Sequence, residues 1–217
     1  MMVPLVYILV FLSLCYTATS QPLWVSTTGS DTDQCGASPA TACLTLGHTI
    51  SNRASASAQI YMLPGTYVRE NTEVFLMFKE LNISGFDSSA TAVRVTCDGS
   101  DKKLVFKSIP RIFLSNLTIT DCHSQAKSAN DEIAGGAVTV SHSGLNLRNV
   151  IVANSTSTAG PGLGNGGCLA ATMLSSVVIK NSTFFNCTTT GRGGGLYIDD
   201  DSTGDLEVCQ HHLLTSL

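Results

Sequence analysis

A repeat of roughly 30 residues constrains the fold of this chain more than any other feature of its sequence. Three segments can be superimposed: 116–122 (NLTITDC), 149–155 (NVIVANS) and 181–187 (NSTFFNC). Between them a Gly-Gly pair recurs before a short apolar strand, at 135–140, 166–169 and 194–198. Strands this short are unstable alone, but coils stacked about 4.8 Å apart can pair them around one core. The repeat predicts an all-β, single-stranded parallel β-helix, a solenoid of about five coils.

Alternation along each strand predicts which residues stack and which way they point. The expected inner columns are Leu117, Val150 and Ser182, followed by Ile119, Val152 and Phe184. The residues expected to point outward are Asn116, Asn149 and Asn181. The same alternation predicts that Asp121, Asn154 and Asn186 point inward at a turn. Stacked amides can hydrogen-bond there as a ladder along the axis.

The first 16 residues are almost wholly apolar, and Ala18 and Ser20 follow at the spacing that signal peptidase prefers. We therefore predict a signal peptide at 1–20, a secreted or extracellular product, and a β-helix domain at 21–208. No second long apolar segment follows, so no membrane insertion of the mature chain is expected. The repeat breaks into CQHHLLTSL at 209–217, an atypical tail that indicates a truncated or alternative product of a longer gene.

Of the eight cysteines, seven follow residue 20. An exported chain meets an oxidising compartment, so disulfides are expected rather than metal thiolates, and no CxxC pair supports zinc. Cys35 and Cys43 bracket a loop that contains Gly and Pro, and they are the predicted pair. The odd count leaves one thiol free or paired elsewhere.

Five Asn-X-Ser/Thr sequons begin at Asn82, Asn116, Asn154, Asn181 and Asn186. A bulky N-glycan requires an accessible position. We predict glycans on Asn82, Asn116 and Asn181. Asn154 and Asn186 are predicted to carry no glycan, because the alternation along the strand predicts that their side chains point inward.

The charge balance excludes some partners without naming one. The chain has 12 basic and 16 acidic residues and a formal net charge of −4. This balance argues against nucleic acid and anionic membranes as ligands. An extracellular glycan or a surface protein is the expected partner.

Candidate catalytic groups are sparse. The densest acidic cluster, Asp199, Asp200 and Asp201, could bind Ca²⁺ or supply an acid, although three acids at a turn more often form a solvated loop. The histidines His48, His123 and His142 lack the spacing of metal ligands. The glycine-rich segment 160–167 precedes a strand instead of opening a helix, so it is an inter-coil loop. No catalytic residue, metal or cofactor is predicted.

A family resemblance is clearest in the N-terminal section. The residues that carry it are 24–31 (WVSTTGSD), 35–36 (CG), 43–46 (CLTL) and 60–67 (IYMLPGTY). They resemble the opening pattern of the pectin-lyase-like β-helix proteins. The resemblance implies a right-handed β-helix whose first coil is capped by a short helix, near 41–52, and Leu46 and Ile50 lie on one face of that segment. The Gly-Gly strands also resemble, more weakly, the repeats of polymorphic outer-membrane adhesins.

Three functions are compatible with these features. The leading hypothesis is a noncatalytic adhesion, structural or glycan-binding module, because no acid pair emerges from the aligned columns. A polysaccharide lyase or glycoside hydrolase is the second, and it follows from the family resemblance. The third is the N-terminal fragment of a larger membrane-anchored surface protein.

Overall fold

A computed structural model describes residues 21–68, 72–75, 80–97, 104–126, 135–159, 165–199, 201–207 and 210–216. At 72–75, 126, 159 and 210–216 the structure describes the backbone alone. The predicted signal peptide, 1–20, lies outside the described residues, as do Asp200 and Cys209.

Short strands dominate the described residues. In chain order they are β1 Leu23–Val25, β2 Ser57–Met62, β3 Gly65–Val68, β4 Thr72–Phe75, β5 Glu80–Gly85, β6 Val93–Thr96, β7 Leu104–Lys107, β8 Arg111–Thr120, β9 His123–Ala126, β10 Val138–Ser141, β11 Gly144–Ala159, β12 Leu169–Thr172, β13 Ser176–Lys180, β14 Thr183–Thr189, β15 Leu196–Ile198, β16 Thr203–Glu207 and β17 Gln210–Ser216. A short helix, α1 at Leu46–His48, continues as a wider helical turn at Thr49–Arg53.

All strand pairs in the described chain are parallel, and they form stacked sheets. The first sheet has the order β1-β2-β5-β8-β11-β13-β16, and the second has the order β15-β12-β10-β7-β4. A further run of strands, β3, β6, β9, β14 and β17, joins the first sheet beyond a corner in each coil. This arrangement confirms the predicted parallel β-helix, with about four turns instead of about five.

The predicted columns are confirmed. Leu117 pairs with Val150, and Ile119 pairs with Val152, which pairs with Phe184 on the other side. These side chains are at most 2 % exposed. The amide of Val150 donates to Ser182 Oγ at 3.1 Å. Contacts between the coils that contain β8, β11 and β14 therefore join residues 32 or 33 positions apart, as in the Asn154–Asn186 and Asn116–Asn149 pairs.

The corners of the coils are built by residues with positive φ. Asn154 and Asn186 have φ of 47° and 50°, within the left-handed region that Asn tolerates better than most residues. This conformation interrupts the alternation of the strand, so both side chains are exposed and the prediction that they point inward was wrong. The predicted ladder does exist on the outer surface, where Asn186 Nδ2 donates to Asn154 Oδ1 at 2.8 Å. Asp121, at the same corner one coil earlier, pairs with Arg94 instead.

The Gly-Gly pairs mark places where one coil presses against another. A Cβ on Gly167 would overlap the carbonyl oxygen of Gly194 in the next coil and lie 2.6 Å from the backbone N and O of Thr188. The preceding residue, Gly166, has φ of 66°, which glycine adopts without strain. Glycine recurs at these positions because no other residue fits both requirements.

The helix caps the first coil, as the resemblance implies, but it begins at Leu46 and its last turn ends at Arg53. Leu46 and Ile50 are buried in the same apolar cluster as Val25. Thr45 caps the helix by accepting from the amide of His48 at 3.2 Å. Asp31 Oδ1 accepts from the amide of Thr45 at 3.0 Å, and Asp31 Oδ2 accepts from the Thr45 hydroxyl at 2.8 Å. Burial alone would raise the pKa of Asp31, but these hydrogen bonds outweigh it and lower the pKa below its ordinary value.

Three disulfides link the described coils. Cys35 is bonded to Cys43, the pair predicted from the sequence. The other two bonds are Cys97–Cys122 and Cys168–Cys187. Cys122 and Cys187 both follow a left-handed corner residue, so they point into the core, where they are buried.

The C-terminal segment continues the stack. Gln210–Ser216 lies where the repeat is predicted to break after residue 208, and it pairs in parallel with β14; a truncated or alternative product stays a prediction. His211 is in register with Phe184, and Leu214 with Cys187. Among the described residues, no helix has the length and apolar character needed to cross a membrane.

Candidate functional site

The outer surface of the first sheet carries two ordered files of side chains, because alternate residues of stacked parallel strands point outward in register. One file contains Trp24, Tyr61, Ser84, Ser115, Arg148, Lys180 and Glu207. The second contains Gln59, Asn82, Phe113, Asn146, Val178 and Asp205. Neighbours within a file are about 4.8 Å apart. We refer to this surface as the outer face.

A groove of about 340 Å³ lies in the middle of the outer face. Its lining residues are Asn82, Phe113, Leu114, Ser115, Asn146, Leu147, Arg148, Val178 and Lys180. The lining therefore combines a half-buried aromatic ring, two side-chain amides, a hydroxyl and two cations. Within the described part of the chain, no Asp or Glu lines the groove.

The two cations of the groove differ in their pairing. Lys180 Nζ lies 2.7 Å from Glu207 Oε2, and this contact raises the pKa of Lys180. Arg148 is exposed and has no carboxylate partner within the described residues. Its guanidinium is therefore available to bind an anion from solution.

An aromatic cluster lies at the capped end of the outer face. The ring of Trp24 lies 5.1 Å from that of Tyr61 and 5.0 Å from that of Phe86, and the last two rings are 5.9 Å apart. Phe86 remains 57 % exposed. Gln59 donates to the Tyr61 hydroxyl and fixes the orientation of that side chain. The cluster is one strand away from Asn82, so it continues the groove toward the cap.

The acidic cluster predicted from the sequence lies at the turn between β15 and β16. Asp199 Oδ2 accepts from the amide of Met173 at 2.7 Å, and the Asp199 carbonyl accepts from Ser202. Asp199 Oδ1 is buried without a hydrogen-bond partner among the described residues, and Asp201 is exposed. Neither Asp199 nor Asp201 lines the groove.

Potential metal ligands come together once in the described chain, where Asp31, Cys35 and His48 place ligand atoms within 4.8 Å of one another. The Cys35 sulfur is bonded to Cys43, and the Asp31 oxygens accept hydrogen bonds from the helix cap. These atoms hold the cap in place. The remaining described histidines are apart: His123 contacts Thr158, and His142 contacts Ser141.

The structure places the five sequons in different surroundings. Asn82 lines the groove, and Asn116 Oδ1 accepts from Asn149 at 2.9 Å. Asn181, Asn154 and Asn186 are exposed. Burial therefore no longer separates Asn154 and Asn186 from the three sites chosen from the sequence. Glycan occupancy stays a prediction at every site.

Sequence reasoning missed the groove and the aromatic cluster. The signal was present immediately before the superimposed segments, in 111–116 (RIFLSN), 144–149 (GLNLRN) and 176–181 (SVVIKN). The third residue of each is Phe113, Asn146 or Val178, and the fifth is Ser115, Arg148 or Lys180. Extending the same register to these strands would have placed both files on the outer face.

The fold and its ordered outer face define this chain as a β-solenoid protein. The chain matches no protein-family model, no curated protein and no solved structure. The likeness to pectin-lyase-like proteins therefore stays a prediction.

Proposed function

We propose that this protein is a secreted, noncatalytic β-helix module that binds an extended, negatively charged glycan along its outer face. The observation that carries the proposal is the order of the outer face. Aromatic rings lie at one end, a groove lined by amides, Arg148 and Lys180 lies in the middle, and Asp205 and Glu207 of β16 lie at the other end. A surface that repeats with each strand suits a ligand that repeats along its own length.

Each part of the outer face has a chemical counterpart in a sugar chain. Phe113 and the aromatic cluster offer apolar ring faces against which the C–H faces of sugars can pack. The amides of Asn82 and Asn146 can both donate to and accept from hydroxyl groups. The Arg148 guanidinium can bind a carboxylate or sulfate through two parallel hydrogen bonds. The combination favours glycans with anionic substituents over neutral ones.

The composition of the groove supports binding over cleavage. Glycoside hydrolysis usually requires two carboxyl groups on either side of the scissile bond. The described lining supplies amides, a hydroxyl and cations. Secretion is supported by the three disulfides, which persist in oxidising compartments.

A glycan array with uronate-containing, sulfated and neutral oligosaccharides tests the proposal. We expect binding to anionic members, and affinity at least about tenfold weaker for Phe113→Ala and for Arg148→Ala. Thr190→Ala, at an exposed position that does not line the groove, is the matched control and should bind like the wild type. Binding to no glycan, or equal binding by all four proteins, would contradict the proposal. Release of new chain ends from a polysaccharide panel would favour an enzyme instead.

A further inference from the structure

We propose that an N-linked glycan on Asn82 lies in the groove and masks it, so that occupancy of this one sequon controls ligand binding. Masking rests on the proposed function, since it acts on the same groove. It also requires passage through a secretory pathway, where N-glycans are added to Asn-X-Ser/Thr sequons. The sequon is Asn82-Ile83-Ser84.

The position of Asn82 makes the groove the nearest surface for an attached glycan. Asn82 is paired across the sheet with Gln59 on one side and with Phe113 on the other. It is also one of the residues that line the groove. The first sugars of a glycan at this position would therefore lie between the aromatic cluster and Phe113. They would cover the part of the outer face that an external glycan needs.

The Asn82 amide is available for attachment. Its side chain makes no hydrogen bond to any residue that the structure describes. By contrast, Asn154 and Asn186 are bonded to each other, and Asn116 accepts from Asn149. A glycan on Asn82 therefore breaks no side-chain hydrogen bond among the described residues. Asn82 is partly exposed at the surface of β5, so the bond to the first sugar has access to solvent.

An attached glycan shares with the proposed ligand the sugar rings and hydroxyl groups that the aromatic and amide parts of the groove can bind. Its sugar rings can pack on Phe113, and its hydroxyl groups can bond the amide of Asn146. Because it is tethered, it competes at an effective concentration in the millimolar range. An external oligosaccharide of ordinary affinity must displace it, and this lowers the apparent affinity.

Two substitutions at Ser84 separate the glycan from the groove itself. Ser84→Ala removes the sequon, whereas Ser84→Thr keeps it, and both leave Asn82 in place. Ser84 is 9 % exposed and its hydroxyl contacts the neighbouring carbonyl of Gly85, so neither change should unfold the chain. Circular dichroism melting curves verify folding. All proteins are produced in a secreting, glycosylating host, and occupancy at Asn82 is measured by glycopeptide mass spectrometry.

The binding probe is a heparin-derived hexasaccharide, measured by isothermal titration calorimetry. We expect wild type and Ser84→Thr to carry the glycan and to bind weakly. Ser84→Ala should lack it and bind at least about tenfold more tightly. Absence of a glycan on wild-type Asn82, or equal affinity of the two Ser84 variants, overturns masking while leaving the proposed function intact if Ser84→Ala binds. If no variant binds any anionic glycan, both proposals fail.

Discussion

Replacing Gly167 with alanine tests how closely consecutive coils approach each other. The added Cβ would overlap the Gly194 carbonyl and lie 2.6 Å from two backbone atoms of Thr188. Real Cβ contacts essentially never fall below 3.0 Å, so two backbone segments must move apart by several tenths of an ångström. Backbone atoms cannot relieve the overlap by changing rotamer. The change therefore distorts the stack at two places.

The magnitude follows from two opposing effects. Overpacking a well-packed site costs about 1–3 kcal/mol, and the upper end applies here because the neighbours are backbone. Alanine also restricts the unfolded chain, which returns about 0.4–1 kcal/mol. We expect Gly167→Ala to lower the free energy of unfolding by about 2 kcal/mol. Gly204→Ala is the matched control, because its Cβ meets only the end of the Ile198 side chain, which can rotate away.

Urea unfolding measures both variants. The single tryptophan, Trp24, reports on the capped end by fluorescence, and far-ultraviolet circular dichroism reports on all the strands. Agreement between the two signals shows that the chain unfolds as one unit. Equal stability of Gly167→Ala and Gly204→Ala would refute the close packing of the coils at the Gly-Gly pairs.

Three other perturbations have defined outcomes. Phe184→Ala should cost about 3–5 kcal/mol in urea unfolding, because Phe184 is fully buried, and a loss below about 1 kcal/mol would contradict its place in the core. Cys168→Ala with Cys187→Ala should cost about 3 kcal/mol, and reductant should then affect the variant less than the wild type. The pKa of Asp31 is lowered in the folded state. Its hydrogen bonds therefore stabilise the fold fully above the ordinary pKa of 3.8, and this stabilisation is lost as the pH falls through the lower pKa of the folded state. Asp31→Asn should flatten the acid branch of a stability-against-pH curve, and an unchanged slope would argue against the Asp31 cap.

The inner columns could be predicted because burial enforces them. A shift of Val150 by one residue against Leu117 would turn every apolar side chain of the strand to the outside, so the alternating pattern permits a single register. The same argument failed for Asn154 and Asn186. Counting alternate residues assumes extended backbone at each step, and a residue with positive φ breaks the count; the Asn that recurs at this corner, a residue that tolerates positive φ, was the signal in the sequence.

The groove and two of the disulfides depend on positions that only the coil geometry supplies. Phe113, Asn146 and Arg148 come from two strands in successive coils, and each side chain alone resembles an ordinary surface residue. Cys97 and Cys122 are 25 residues apart, and nothing in their local sequence shows that both are buried in the core. Local spacing was informative only for Cys35 and Cys43, which are separated by 8 residues.

The central coils, which contain β8, β11 and β14, bond at a separation of 32 or 33 residues, and this interval has an evolutionary consequence. Duplication or deletion of one full interval in a gene would keep each ladder in phase, so such a molecule can change length in whole units. An insertion or deletion of one residue is tolerated at a corner, because the alternation of inward and outward side chains starts again in the next strand. Met173 and Leu174 show one such event: two left-handed residues stand where the preceding coil has His142 alone, and Leu174 extends into solvent, 72 % exposed.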